Sequence, residues 1–208
     1  MTAPATGKPR PTLELPAHIY RLDGEVIPGV TATLRAAGVI DYSMIPQEVL
    51  QAAAHRGTAV HQAMHLYAKG TLDPESIDPA IAGYVAAGIR FHEESRLTIA
   101  HAEQMVFHEQ YRYAGMFDLD CVIEDELLLC DYKTGIVLDG HRAQLAAYLN
   151  CRPKPRRWRR AAVQLNEDGS YRVHEFPRAD FDRDLDLFLW ALAHQQTSLP
   201  GQNGGPIR

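Results

Sequence analysis

Asp118, Asp131 and Lys133 are the residues whose types and spacing could do chemistry. The two aspartates stand in apolar, β-rich runs, MFDLDCVI and LLLCDY, separated by the acidic stretch Glu124-Asp125-Glu126, a pattern that predicts an antiparallel hairpin. With the pairing axis between Glu124 and Asp125, Asp118 and Asp131 lie opposite each other, their Cβ atoms about 5 Å apart. Lys133, two residues beyond Asp131, shares its face. Carboxylates about 4 Å apart repel by about 4 kcal/mol at an effective dielectric of about 20, so the pair asks for a compensating cation. Hard oxygen ligands with open positions suit Mg²⁺ or Mn²⁺, ions that lower the pKa of bound water and polarise a phosphoryl oxygen. An ammonium beside such an ion would neutralise charge growing on the attacked group. Alone, a D-x-K tripeptide is weak, because the same residues blunt the edge of an ordinary solvated hairpin.

The elements that must position these groups are legible around them. HIYRLDGEVI predicts a β-hairpin turning at Asp23-Gly24. Residues 30–37, 46–55 and 58–68 read as helices, with Pro46 suited to a first turn and Gly57 to a break. From Asp78, the apolar residues Ile81, Tyr84, Val85 and Ile89 recur at helical spacing. Strands follow over 98–109, 111–123 and 127–132, then a helix over 142–150, two strands about Asp168-Gly169, and a final helix over 179–194. Spacing alone gives a mixed α/β protein. About 200 residues with 46% hydrophobic content suffice for one buried domain, expected over 17–196, between a disordered segment 1–16 and a flexible tail 197–208.

Several ordered pieces go beyond spacing: RGTAVH ending at His61, the acid Glu103 in AEQMVF, the GMFD acid Asp118, the trio Asp131, Tyr132 and Lys133, and the QLAAY pair Gln144 and Tyr148. Over residues 20–195 this pattern resembles the RecB-like branch of the PD-(D/E)XK nuclease superfamily, including phage-type exonucleases and relatives of the mitochondrial genome maintenance exonuclease. The resemblance implies a restriction-endonuclease-like α/β core, a central mixed sheet flanked by helices. It implies a metal held by His61, Asp118, Asp131 and the backbone carbonyl of Tyr132, a catalytic Lys133, and Gln144 and Tyr148 facing DNA or bracing the site. Glu103 is either a solvated strand acid or a catalytic carboxylate beside the metal. The implied activity is Mg²⁺- or Mn²⁺-dependent hydrolysis of DNA by metal-activated water, as an exonuclease in recombination, repair or phage DNA processing. Alternatives are a restriction-type endonuclease and a non-catalytic DNA-binding adaptor on the same fold. His61 and His65 imitate the HExxH zinc spacing, but Gln62 stands where a zincin needs its general base.

The net charge of −5 excludes a uniformly basic surface, so any attraction for phosphate must be local. Arg152, Lys154, Arg156, Arg157, Arg159 and Arg160, with Trp158 among them, could grip a backbone and stack a base; equally, they could be a charged turn leading into a strand. Three scattered cysteines fit free thiols in a reducing cytoplasm, the host's if the gene is phage-borne, and fall short of the four ligands of an iron-sulfur cluster. No apolar run reaches the roughly 20 residues of a membrane span. ATGKPR is not a Walker A motif, so a helicase or single-strand-annealing protein would have to be a separate partner alongside DNA. Oligomeric state is not legible.

Overall fold

The structure is a computed structural model describing residues 11–14 and 18–197. Strands β1 (Pro11–Glu14), β2 (Ile19–Leu22) and β3 (Glu25–Ile27) form a small antiparallel sheet, with Asp23 and Gly24 in the left-handed conformation at the β2–β3 turn. Pro11–Glu14 falls in the segment expected to be disordered; it is instead a strand, because Leu13 pairs with Tyr20 and packs on the apolar cluster of Tyr20, Leu22 and Ile27. The rest of the expected N-terminal disorder, and the tail from 198, lie outside the described residues.

Helices α1 (Val30–Ala36), α2 (Gln47–Ala68) and α3 (Pro79–Ser95) follow. α2 runs unbroken through Gly57, where a break was expected. One glycine costs a helix interior about 1 kcal/mol, which the burial of Val60 and Met64 and the bond from Arg56 to the Thr134 carbonyl outweigh. α3 starts as its sequence prescribes: the Asp78 side chain accepts the Ala80 amide at 2.9 Å, and Pro79 occupies the first turn.

The main sheet has the order β4-β5-β6-β7-β8. β4 (Thr98–His108), β5 (Tyr113–Ile123) and β6 (Glu126–Lys133) form an antiparallel meander. Helix α4 (Gly140–Asn150) then carries the chain over to β7 (Arg159–Leu165), which joins β6 in parallel; β8 (Tyr171–Phe176) returns antiparallel to β7, and α5 (Phe181–Thr197) ends the described chain. A parallel pair needs such a crossover, since no short turn can reverse direction twice. On one side Tyr113, Phe117 and Leu129 pack with α1, α4 and α5. On the other, Leu119, Cys130 and Val163 pack with α2 and α3. This mixed sheet between helical layers is the restriction-endonuclease-like core. No helix among the described residues is long and apolar enough to cross a membrane.

Candidate metal centre

Strand register assembles the site. Leu119 pairs with Cys130 and Ile123 with Glu126, which puts the hairpin axis between Glu124 and Asp125 and sets Asp118 opposite Asp131. On the other side of β5, Ala102 pairs with Leu119 and Gln104 with Phe117, which sets Glu103 opposite Asp118. Glu103, Asp118 and Asp131 thus occupy matching positions on three neighbouring strands. β5 stays paired with β4 as far as Tyr113 but leaves β6 beyond Leu119, so the acids sit where the sheet parts. There the Tyr132 amide donates to Asp118 Oδ2 at 2.5 Å, a side chain taking the place of the ladder. Glu103 has φ +52°, a left-handed conformation that is strained for a non-glycine residue within a strand.

α2 supplies the fourth group. His61 Nδ1 lies 2.8 Å from Asp118 Oδ1 and 3.8 Å from Glu103 Oε1. One ligand atom each from His61, Glu103 and Asp118 fall within 4.8 Å of one another, a spacing that one cation can bridge. Asp131 stands outside that triplet, its Oδ2 paired with the Lys133 ammonium. The Tyr132 side chain is buried and its hydroxyl reaches His92 Nε2 at 2.5 Å. His65, the second member of the zinc-like pair, takes no part in the cluster.

The site's electrostatics show what it lacks. Burial pushes the Glu103 carboxyl up to about 7, helped by the charge on Asp118. Burial would lower the His61 imidazolium, but the Asp118 carboxylate outweighs it and lifts the pKa to about 9. Asp131 is raised by burial against the opposing pull of Lys133, while the Lys133 ammonium is held above its usual range because Asp131 outweighs burial. Three carboxylates face one permanent cation here, and the two groups whose proton affinity rises, His61 and Glu103, are ligands that a divalent cation would take. The donor set of carboxylate oxygens with one imidazole fits Mg²⁺ or Mn²⁺.

Lys133 is held on its other side by α4: its Nζ donates to Gln144 Oε1 at 3.1 Å, and Gln144 Nε2 donates to the Tyr148 hydroxyl at 2.9 Å. Gln144 and Tyr148 are buried. Of the two roles the resemblance implies for them, facing DNA or bracing the site, these bonds are those of the brace. Gly115 in the GMFD motif makes room for it, since a Cβ there would lie 2.9 Å from Tyr148 Cδ1 and 3.3 Å from Val30.

The basic segment after α4 is arranged differently from the expected grip on DNA. Arg152 pairs with the buried Asp120 and lies over the Phe117 and Trp158 rings, so Trp158 is half-buried packing and not a free stacking platform. Arg156 pairs with Asp182 and Arg159 with Glu175. Arg160 is fully buried, donating to Asp184 and to the carbonyls of Arg142 and Pro177. Lys154 and Arg157 are exposed and form no ion pair among the described residues. The segment also enters β7 beside Leu128, three residues or about 10 Å along the strand from Asp131. Spacing missed Thr31, which meets the site from α1 and lies in no pattern that marks such a contact.

No family model and no curated protein matches the chain. Among solved structures it is similar to an alkaline exonuclease (LHK-Exo) from Laribacter hongkongensis, at 14% identity and a TM-score of 0.40, covering 80% of this chain and 88% of that one. It is also similar to SSO0001, at 16% identity and a TM-score of 0.36, covering 82% and 76%. The same exonuclease in complex with dAMP gives 13% identity and a TM-score of 0.35, covering 82% and 88%. Likenesses this distant add nothing to the site, whose interpretation rests on its own residues.

Proposed function

We propose that this chain is a Mg²⁺- or Mn²⁺-dependent deoxyribonuclease that hydrolyses phosphodiester bonds, acting as an exonuclease in recombination, repair or phage DNA processing. The observation that carries the proposal is that one ligand atom each of His61, Glu103 and Asp118 lies within 4.8 Å of the others, with Asp131 opposite Asp118 and paired with Lys133. A divalent ion bound there supplies Lewis acidity and a water acidic enough to act as nucleophile at neutral pH. His61, Glu103 and Asp118 would hold it, with Asp131 opposite Asp118 as a further carboxylate beside them. Asp131 also orients Lys133.

Lys133 does the rest by counting donors. An ammonium has three N–H groups and no acceptor. Asp131 and Gln144 take two, and the third is free for a non-bridging phosphoryl oxygen or the attacking water, where it stabilises negative charge as it develops. Lys154 and Arg157 are the cations of the basic segment left to meet a DNA backbone. The exonuclease mode follows from the family resemblance alone.

The test is incubation of the protein with end-labelled single- and double-stranded DNA in Mg²⁺, Mn²⁺ or EDTA. Metal-dependent release of short products from an end is expected. Internal cuts would shift the reading to a restriction-type endonuclease, and binding without cleavage to an adaptor.

A further inference from the structure

We infer that Thr31, on α1, is a positioning residue for Lys133, acting through the side-chain amide of Gln144. This rests on the nuclease reading of the same site. Gln144 Nε2 donates to Thr31 Oγ1 at 2.9 Å as well as to the Tyr148 hydroxyl at 2.9 Å, and the two hydroxyls lie 3.4 Å apart. Gln144 Oε1 faces the ammonium.

The chemistry of the four groups permits one orientation of that amide. An ammonium can only donate, so it must face the carbonyl oxygen; the two hydroxyls can accept, so they take both hydrogens of the amide nitrogen. Every hydrogen-bonding atom of the Gln144 side chain is then used, and Lys133 receives an acceptor at a set place beside Asp131. Thr31 is the member of this network that comes from outside the sheet and α4. It sits in the first turn of α1, which packs against α4 and α5 and is tied to α5 by Thr33 Oγ1 donating to Gln195 Oε1 at 2.7 Å. Its β-branched side chain has few χ1 choices, so its hydroxyl is a better-fixed acceptor than a serine's. Without it, one buried amide hydrogen loses its partner, the grip on the amide halves, and the third N–H of Lys133 is no longer held on the reacting group.

Thr31→Val keeps the shape and removes the acceptor. Its kcat on DNA should fall about tenfold, the scale of one buried hydrogen bond, with KM nearly unchanged, and Thr31→Ser should recover most of the loss. In a Gln144→Ala background, Thr31→Val should change kcat less than twofold, since the route from Thr31 to Lys133 is already cut. Equal activity of wild type and Thr31→Val, full additivity with Gln144→Ala, or no recovery by serine would overturn the inference. The ¹H–¹⁵N signals of the Gln144 side-chain amide read the contact without catalysis. They should be dispersed and protected from exchange in wild type and Thr31→Ser, and move toward free glutamine in Thr31→Val; unchanged signals would overturn the role of Thr31 whether or not the protein cleaves DNA. Absence of metal-dependent cleavage by the wild type, with these signals behaving as expected, would refute the nuclease reading and leave the network standing.

Discussion

Two groups of like charges sit on the same sheet and are treated in opposite ways. The arginines after α4 are neutralised almost one for one, by Asp120, Asp182, Glu175 and Asp184. The carboxylates where β5 and β6 part have one lysine among three, and the proton affinities of His61 and Glu103 rise beside them. The first cluster is closed on itself by ion pairs; the second places three carboxylates around one ammonium, an arrangement that a bound cation would relieve. The cluster most conspicuous in the sequence as a DNA-binding patch is the balanced one, and the modest D-x-K is the unbalanced one.

Substitutions in the unbalanced cluster should have the largest effects. Asp118→Asn, Asp131→Asn and Lys133→Ala should each lower DNA cleavage by about 10²–10³-fold or more in steady-state assays. Asp131→Asn should also lower the unfolding midpoint, since it takes the carboxylate away from the buried Lys133 ammonium, whereas Asp118→Asn should shift it less, since it relieves Glu103 while removing the charge beside His61. A cleavage-competent Asp118→Asn would erase the contrast between the two regions.

The balanced cluster should respond in stability instead. Arg160→Ala removes the fully buried partner of Asp184 and leaves it only the more exposed Arg142 and Arg183, at 3.3 and 3.5 Å, and should cost about 3 kcal/mol in denaturant unfolding. The same change paired with Asp184→Leu should recover much of that. Equal loss in single and double variants would mean that packing, not charge balance, holds β7 to α5.

A third treatment of charge is exclusion. Burial pushes His92 down to about 4, and the neutral ring accepts the Tyr132 hydroxyl. Burial, with Lys133 and Arg35 nearby, pushes His141 down to about 3, its Nδ1 accepting the Leu138 amide. Both folded values lie below the ordinary histidine value, so the unfolded chain binds these protons first. Their contribution to stability is complete above pH about 6.5 and is lost as pH falls toward the folded values, at up to about 1.4 kcal/mol per pH unit for each residue. Between pH 7 and 4 the raised Glu103 and Asp131 carboxyls contribute in the opposite sense, so the test is the difference between proteins: His92→Gln should lose less unfolding free energy than wild type as pH falls, and equal pH dependence of the two would contradict the assignment.

The smallest effects belong to the rim. Lys154→Ala and Arg157→Ala should each reduce the salt slope of DNA affinity by about one, whereas Arg156→Gln, already paired with Asp182, should leave it unchanged.

The difference between these regions also explains what could be read in the sequence. Asp118 and Asp131 could be placed opposite each other because Glu124 and Asp125 are both left-handed at a tight turn, and a hairpin axis fixes every pair behind it. Gln144 and Tyr148 could be put on one helical face for the same local reason. The neutralisation of the arginines could not be read, because Asp182, Glu175 and Asp184 arrive from β8 and α5, 16 to 26 residues further on. Nor could the continuity of α2 through Gly57: the propensity penalty is local, and the contacts that override it are to Thr134, just past β6, and to the core. Nor does any alternation of residues announce the left-handed backbone of Glu103, which lies in the same triplet as His61.

Binding of Mn²⁺ to the metal-free protein, followed by titration calorimetry in parallel with cleavage of labelled DNA, tests the central claim most directly. Wild type should bind the ion and cleave over the same concentration range, and Asp118→Asn should lose both together. Cleavage by protein kept in excess EDTA, or undiminished Mn²⁺ binding by Asp118→Asn, would contradict a cation held at the opening between β5 and β6.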